Sequence, residues 1–194
     1  MDYDFDKKEL KLDRSLSELD KFVIEFCNLL EERYVIVSGY VSILLGRSRA
    51  TEDVDLLVPD LNLEEFRRIW QRIELEGFEC LNTSSPEEAF QMWKEHAVRF
   101  AKIGKPIPNM EFKKIKKPED AYSFKNSINV FMKEGKLKIS PLEMQIVYKL
   151  DLGSEKDLED AKHLYALFKE KLNNTELVRL ISHFKVEKRF EKIK

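Results

Sequence analysis

The sequence has few cysteines and no long apolar segment. Only two of its 194 residues are cysteine, too few for a disulfide scaffold or a zinc site. No run approaches the roughly 18–20 apolar residues that a membrane-spanning helix needs, and the acidic N-terminal segment has no apolar signal core. We therefore expect a cytoplasmic protein without a membrane partner, in which Cys27 is a small buried hydrophobic residue.

The signatures of several common enzyme classes are also missing. The chain has no Gly-x-x-x-x-Gly-Lys-[Ser/Thr] phosphate loop, and its three histidines lie far apart. No Ser/His/Asp or Cys/His set is found. The formal net charge of −2 gives no overall field that would attract nucleic acid. We interpret the basic runs Lys113–Lys117 and Lys185–Lys194 as solvated faces.

What is present is a globular composition, with 43% apolar and 36% charged residues. Helical periodicity predicts helices over 15–32, 41–45, 63–76, 86–95, 142–152, 155–171 and 175–184. The last three have N-cap signals at Ser140, Ser154 and Asn174. Strand periodicity predicts strands over 34–37, 54–58, 78–81, 97–103, 109–115, 127–132 and 136–139. This order indicates an α+β fold, a small mixed β-sheet flanked by helices, followed by a C-terminal helical bundle. We expect a core over 1–139, including the N-terminal helix, and a helical region over 140–194 packed on it.

Two aspartates at the start of a predicted strand are the strongest functional signal. Asp53 and Asp55 are two residues apart, so their side chains leave the same face of the strand. Neighbouring carboxylates repel each other and favour a cation between them, and hard oxygen ligands suit Mg²⁺ together with substrate phosphates. Just upstream, Ser38-Gly39 joins a strand to a helix and would offer free backbone N–H groups to a phosphate. Either feature alone is also typical of an ordinary turn or helix start; together they predict a phosphoryl-transfer site.

These residues resemble the nucleotidyltransferase superfamily that shares the fold of DNA polymerase beta, and within it the small prokaryotic AbiEii-type branch. The resemblance rests on Ser38-Gly39 and on Arg49-Ala-Thr51-Glu-Asp53-Val-Asp55. A second signature follows in Lys149 and in Lys156-Asp157-Leu-Glu-Asp160. The family commonly has Gly-Gly or Gly-Ser where this chain has Ser38-Gly39, and bulky Tyr40 follows. Tyr40 either narrows the triphosphate channel or packs in the core.

The resemblance implies transfer of a nucleoside monophosphate from an NTP, such as ATP, with two Mg²⁺ ions (or Mn²⁺) as cofactors. Asp53 and Asp55 would hold both ions. The family places a third carboxylate on a later strand, for which Glu111 is the best candidate. Its alternative is an exposed strand residue paired with a lysine.

The resemblance also implies nucleotide contacts. Ser38 and Gly39 would hold the β- and γ-phosphates, and Arg49 or Arg47 would add positive charge, unless Arg49 pairs with Glu52. Thr51 would fix the turn within the nucleotide site. Lys149 would either contact the phosphates or pair with Asp157 or Asp160. Asp157 and Asp160 would be structural partners or acceptor-site residues.

Three functions follow from these residues. The first is an active nucleotidyltransferase that modifies a tRNA, a protein or a small molecule. The second is the same chemistry in a toxin whose partner is an antitoxin protein. The third is a catalytically inactive member of the fold that acts as a binding module, which would be favoured if Glu111 lay far from Asp53 and Asp55.

Overall fold

Nine strands form one continuous mixed sheet in the computed structural model, which describes residues 1–194. The strands are β1 (Asp2–Asp4), β2 (Glu9–Lys11), β3 (Val35–Val37), β4 (Asp53–Val58), β5 (Phe78–Cys80), β6 (Val98–Lys102), β7 (Lys105–Lys114), β8 (Ile128–Met132) and β9 (Gly135–Ile139). Their order in the sheet is β1-β2-β8-β9-β3-β4-β7-β6-β5. The sheet is larger than predicted, because β1 and β2 extend it at one edge.

Nine helices accompany the sheet. They are α1 (Glu18–Asn28), α2 (Gly39–Leu44), α3 (Leu63–Leu75), α4 (Pro86–Glu95), α5 (Pro118–Lys125), α6 (Leu142–Leu152), α7 (Glu155–Phe168), α8 (Asn174–Phe184) and α9 (Glu187–Phe190), with a 3-10 turn over Lys169–Lys171. The seven predicted helices are confirmed, whereas α5 and α9 were missed. None of the helices is long and apolar enough to cross a membrane.

Helix boundaries follow local capping. Ser17 begins α1 by accepting a hydrogen bond from the Asp20 N–H, while the Asp20 carboxylate accepts one from the Ser17 N–H, a reciprocal pair that satisfies two otherwise free donors. Ser154 caps α7 as predicted. The predicted caps Ser140 and Asn174 are wrong by one residue: the N-caps are Pro141 and Asn173. Asn173 caps α8 by accepting a hydrogen bond from the Glu176 N–H at 3.1 Å, whereas Pro141 makes no side-chain cap hydrogen bond.

A single hydrophobic core of 50 buried residues runs through both predicted regions and includes Leu164 and Leu180 from the C-terminal helices. Between the sheet and helices α3 and α4 this core contains a cluster of buried aromatic residues: Phe66, Trp70, Phe90, Trp93, Phe100 and Phe112. Cys27 is buried, as expected. This packing makes the central strands β4 and β7 rigid supports for the polar groups on their other face.

Candidate active site

The three candidate carboxylates lie side by side because β4 and β7 pair in parallel. In that register Asp55 is opposite Glu111, and Asp53 is opposite Asn109. Strand alternation puts Asp53 and Asp55 on one face while Val54 is fully buried on the other. The predicted position of Glu111, next to the aspartates, is therefore what the structure has.

Thr51 fixes the turn that leads into β4. Its hydroxyl lies 2.9 Å from the backbone carbonyl oxygen of Asp53 and 3.2 Å from Asp53 Oδ1, within hydrogen-bond distance of both. Thr51 thereby restrains the Asp53 carboxylate at the mouth of the strand. This is the turn-fixing contact that the sequence indicated.

Ser38 has a strained backbone at the junction of β3 and α2. Its φ is 64° and its ψ is −133°, in a region that costs a non-glycine residue of order 1–3 kcal/mol and that is found mainly at functional sites. The expectation that its N–H is free is wrong: the N–H donates to Gln145 Oε1 at 3.2 Å, and Gln145 Nε2 donates to the Ser38 carbonyl at 2.5 Å. Gln145 of α6 was not found from the sequence, because the contact joins segments more than 100 residues apart.

The next residue, Gly39, lies against the guanidinium of Arg49. A Cβ atom on Gly39 would overlap Arg49 Nη2, so the small residue is needed for this close approach. Arg49 does not pair with Glu52. It donates instead to both carboxylate oxygens of Asp160, at 3.2 and 3.1 Å. Tyr40 packs rather than narrowing a channel: it is fully buried, and its hydroxyl donates to Asp20 at 2.8 Å.

Lys149 is buried and paired with two aspartates of α7. It is 1% exposed, and its ammonium lies 2.7 Å from Asp157 Oδ1 and 3.2 Å from Asp160 Oδ2. Of the two expectations for Lys149, these contacts are those of the second, pairing with Asp157 and Asp160, and the nucleotide contact stays a prediction. Asp160 is also reached by Arg47 at 3.7 Å.

The site also contains two cations that the motif did not include. Lys113 Nζ contacts Asp55 Oδ1 and lies 2.8 Å from Glu111 Oε2. Arg99 of β6 donates from Nε and Nη2 to Glu111 Oε1, at 2.9 and 2.6 Å. The i, i+2 spacing of Glu111 and Lys113 on one strand was a signal for the first contact. The Arg99 contact depends on the β6–β7 register, which the sequence did not specify.

The pKa values of Asp55 and Glu111 are shifted in opposite directions by their surroundings. Burial raises the pKa of Asp55, and although Lys113 opposes this, Glu111 and Asp53 add to it. Burial also acts to raise the pKa of Glu111, but the hydrogen bonds from Lys113 and Arg99 outweigh it and hold that pKa below its usual value.

The oxygen atoms on this face fit a magnesium or manganese ion by type. Besides the three carboxylates, Asn109 Oδ1 is buried and has no hydrogen-bond partner, and its amide nitrogen is held by the Glu52 carbonyl at 3.2 Å. Carboxylate and amide oxygens are the ligands that hard divalent ions prefer. In this conformation no three His, Cys, Asp or Glu side chains converge to hold a metal ion. Lys113 instead supplies the positive charge between Asp55 and Glu111.

A cleft of about 520 Å³ opens beside Asp55, which lines it, whereas Asp53 and Glu111 do not. Ser38 and Asp55 line it from the sheet side, and Gln145 and Tyr148 line it from α6. The basic run Lys113–Lys117, which we interpreted as a solvated face, contributes four lysines to the wall of this cleft. The cleft is therefore large enough and polar enough for a small ligand to reach Asp55.

Comparison with known proteins identifies the fold. No protein-family model matches the sequence, and no curated protein matches it. The solved structure of ANT(2'')-Ia in complex with adenylyl-2''-tobramycin matches with a TM-score of 0.52 at 11% identity, over 87% of this chain and 98% of that chain. An antigenic nucleotidyltransferase-like protein from Paracoccidioides brasiliensis matches with a TM-score of 0.53 at 16% identity, over 92% and 93%.

A solution structure of the antibiotic-resistance factor ANT(2'')-Ia matches similarly, with a TM-score of 0.52 at 14% identity, over 89% of this chain and 93% of that chain. At such identities a likeness establishes the fold alone. The chain has the nucleotidyltransferase fold, which confirms the α+β architecture with its C-terminal helices. The closer likeness to the AbiEii-type branch stays a prediction.

Proposed function

We propose that this chain is a metal-dependent nucleotidyltransferase that transfers a nucleoside monophosphate from an NTP to an acceptor and releases pyrophosphate. The observation that carries the proposal is the parallel pairing of β4 and β7, which places Asp53, Asp55 and Glu111 on one face beside a cleft. Ser38 lines the same cleft from the start of α2. The fold supports this chemistry, and the site supplies groups for each part of it.

In this proposal Asp53, Asp55 and Glu111 would hold one or two Mg²⁺ or Mn²⁺ ions, which would supply positive charge to neutralise the triphosphate and orient the reacting groups. The Ser38 hydroxyl donates a hydrogen bond to a phosphate oxygen, because its backbone N–H is already used by Gln145. Thr51 keeps Asp53 in place. Arg49 acts from behind Gly39, where it orders the turn through Asp160 and adds positive charge near the phosphates.

The reaction itself requires one bond to form and one to break. An acceptor oxygen attacks the α-phosphorus, the bond to the β-phosphate oxygen breaks, and pyrophosphate leaves. The proton of the acceptor hydroxyl passes to a carboxylate on the strand face. Glu111 would assist this proton loss, since it would complete the metal site beside Asp55 on the acceptor side.

A second candidate function is a binding module without catalysis. It is favoured by one observation, the pairing of Glu111 with both Arg99 and Lys113, which neutralises the third carboxylate. In such a protein the salt bridges would stabilise the sheet, and the cleft would bind a nucleotide or a partner without turnover. The two candidate functions differ in whether label is transferred from the NTP at all, and in whether that transfer requires Asp53 and Asp55.

The acceptor classes that belong in the test are RNA, protein and small molecules. One structural neighbour is described in complex with adenylyl-2''-tobramycin, which supports including hydroxyl-rich small molecules. The resemblance to a toxin branch supports including tRNA and cellular proteins. If the acceptor proves to be an essential RNA or protein, a toxin role with an antitoxin partner becomes the specific form of the proposal.

The test is transfer of label from each α-labelled NTP, with Mg²⁺ or Mn²⁺, to total RNA, cell extract and a panel of hydroxyl-bearing small molecules. The wild type is compared with Asp53→Ala/Asp55→Ala, and with Asp60→Ala as a matched control, because Asp60 is exposed just beyond β4. Label transfer that only the double variant abolishes would support the enzyme. Metal-dependent NTP binding without transfer to any acceptor would favour the binding module.

A further inference from the structure

We propose that Lys113 is the resident cation of the carboxylate site, and that a divalent metal ion enters only by displacing its ammonium group into the cleft. This inference rests on the proposed function, since it concerns the metal site of the same reaction. It adds a residue that the motif does not contain and a step that precedes chemistry. Metal binding and release of Lys113 would be one exchange.

The position of the ammonium is the first support. Lys113 Nζ contacts Asp55 on β4 and Glu111 on β7, so one cation bridges carboxylates of two paired strands. A metal ion shared by Asp55 and Glu111 would have to lie where this ammonium now lies. No three carboxylates converge as a metal site in this conformation, in which Lys113 occupies the space between Asp55 and Glu111.

Charge is the second support. Asp53, Asp55 and Glu111 carry up to three negative charges, and Lys113 and Arg99 return two positive ones. A divalent ion added to the face without loss of Lys113 would meet an ammonium within contact distance, and like charges at that range disfavour binding strongly. Arg99 does not repel a metal ion at Asp55 in this way, because Arg99 pairs with Glu111 only. The Arg99 side chain is also about half exposed.

The third support is a route of departure. The Lys113 side chain is 36% exposed, and the residue lines the cleft that opens beside Ser38. Its long flexible stem lets the ammonium leave the carboxylates and remain in the cleft, on the side where the proposal places the triphosphate. A nucleotide that arrives with its metal would thus supply both the replacement cation for the carboxylates and an anionic partner for the released lysine.

A purely structural salt bridge makes the opposite prediction for metal binding. If Lys113 only stabilises the strand pair, its removal weakens the arrangement of the carboxylates and leaves metal affinity unchanged or lower. If Lys113 competes with the metal, its removal raises metal affinity. Lys114, the next residue, offers a matched control: it pairs with Asp60 at 2.6 Å, away from the three carboxylates.

The experiment measures Mn²⁺ binding by calorimetry in the absence of nucleotide, for the wild type, Lys113→Met, Lys113→Gln and Lys114→Met, with circular dichroism to confirm folding. We expect both Lys113 variants to bind Mn²⁺ at least about tenfold more tightly than the wild type, and Lys114→Met to match the wild type. Equal or weaker binding by folded Lys113 variants would overturn the inference while leaving the enzyme proposal intact. Absence of Mn²⁺ binding in every protein, with and without NTP, would overturn both.

A second measurement needs no variant. Brief treatment of the wild-type protein with an amine-acylating reagent, followed by peptide mass spectrometry, reports the accessibility of each lysine. Mn²⁺ should increase acylation of Lys113 several-fold and leave Lys114 unchanged. An unchanged or decreased rate at Lys113, at Mn²⁺ concentrations that calorimetry shows to be saturating, would contradict displacement.

Discussion

Arg49 forms a two-pronged hydrogen bond with Asp160, at 3.2 and 3.1 Å, and so ties the turn before the paired aspartates to the C-terminal helix α7. The Asp160 side chain is fully buried and is also paired with Lys149. A buried carboxylate is costly unless it is paired and hydrogen-bonded, and here two cations from different elements meet that need. The second signature in the sequence is therefore a structural anchor for the first.

Replacement of Lys149 by methionine should destabilise the protein strongly. The substitution keeps most of the side-chain volume but leaves Asp157 without its ammonium and Asp160 with only its arginine partners. Removal of one partner of a buried ion pair costs about 3–5 kcal/mol. Urea-induced unfolding would measure the loss. Lys156→Met, at an exposed position of the same signature, should change the free energy of unfolding by less than about 0.5 kcal/mol.

The alternative role of Lys149 gives a different pattern. A lysine that contacts the nucleotide would show normal stability and reduced NTP affinity in the methionine variant. That result, measured by unfolding and by nucleotide titration on the same protein, would favour the nucleotide contact.

Replacement of Gly39 by alanine should disturb the Arg49 anchor. The added Cβ would overlap the guanidinium, so Arg49 must move away from Asp160 or the start of α2 must shift. Overpacking of this kind costs about 1–3 kcal/mol. A double-mutant cycle tests the cause: in an Arg49→Ala background, the Gly39→Ala penalty should largely disappear. Additive penalties in the double variant would show that the Cβ clashes with something else.

Replacement of Ser38 by glycine should separate stability from activity. Glycine adopts the φ of 64° without the steric cost that serine bears, so the free energy of unfolding should stay equal or rise by up to about 1 kcal/mol. The same change removes the hydroxyl proposed to bind a phosphate, and NTP affinity or label transfer should fall about tenfold or more. Ser38→Ala, which keeps the strain and loses the hydroxyl, should lower activity without the gain in stability. Full activity in both variants would exclude the hydroxyl contact.

The elements that carry strong periodicity were predictable from the sequence. Helix α3 and strand β4 have their expected bounds within a residue, because the spacing of their apolar residues fits only one type of secondary structure. Strands β1 and β2 were not predictable: each has three residues and becomes a strand only by pairing, with β2 joining β8 in the distant part of the chain. Helix α5 begins at Pro118, a usable signal, but it follows the lysine run and has only weak amphipathic character.

The candidate site was predictable where its chemistry is local. Asp53, Asp55 and Thr51 lie within five residues, and strand alternation relates Glu111 to Lys113. For Lys149 the sequence offered Asp157 and Asp160 only as an alternative to phosphate contact. The partners of Arg49 and Ser38 could not be assigned, because each contact spans more than a hundred residues and depends on how α6 and α7 pack. Sequence patterns indicate which face a side chain leaves, and tertiary packing decides what it meets.

Replacement of Glu143 by glutamine should change how stability depends on pH. Burial raises the pKa of Glu143 in the folded protein, whereas in the unfolded chain the carboxyl ionises near pH 4.3. The unfolded state therefore releases its proton first as the pH rises, and the stability that Glu143 contributes below about pH 4 is lost as the pH approaches its folded pKa. Glutamine does not titrate, and its oxygen can still accept the 2.7 Å hydrogen bond from the Asn173 N–H.

Urea unfolding at several pH values between 4 and 7 would measure the effect. Relative to the wild type, Glu143→Gln should gain stability as the pH rises, by about 1.4 kcal/mol for each unit of the pKa shift. Glu176→Gln should have the opposite effect, because Arg179 lowers the pKa of Glu176 to about 2. The Glu176 carboxylate therefore stabilises the fold above its unfolded pKa. Its replacement should lower the free energy of unfolding most at pH 7. Parallel curves for the wild type and Glu143→Gln would mean that the Glu143 carboxyl titrates alike in the folded and unfolded chain.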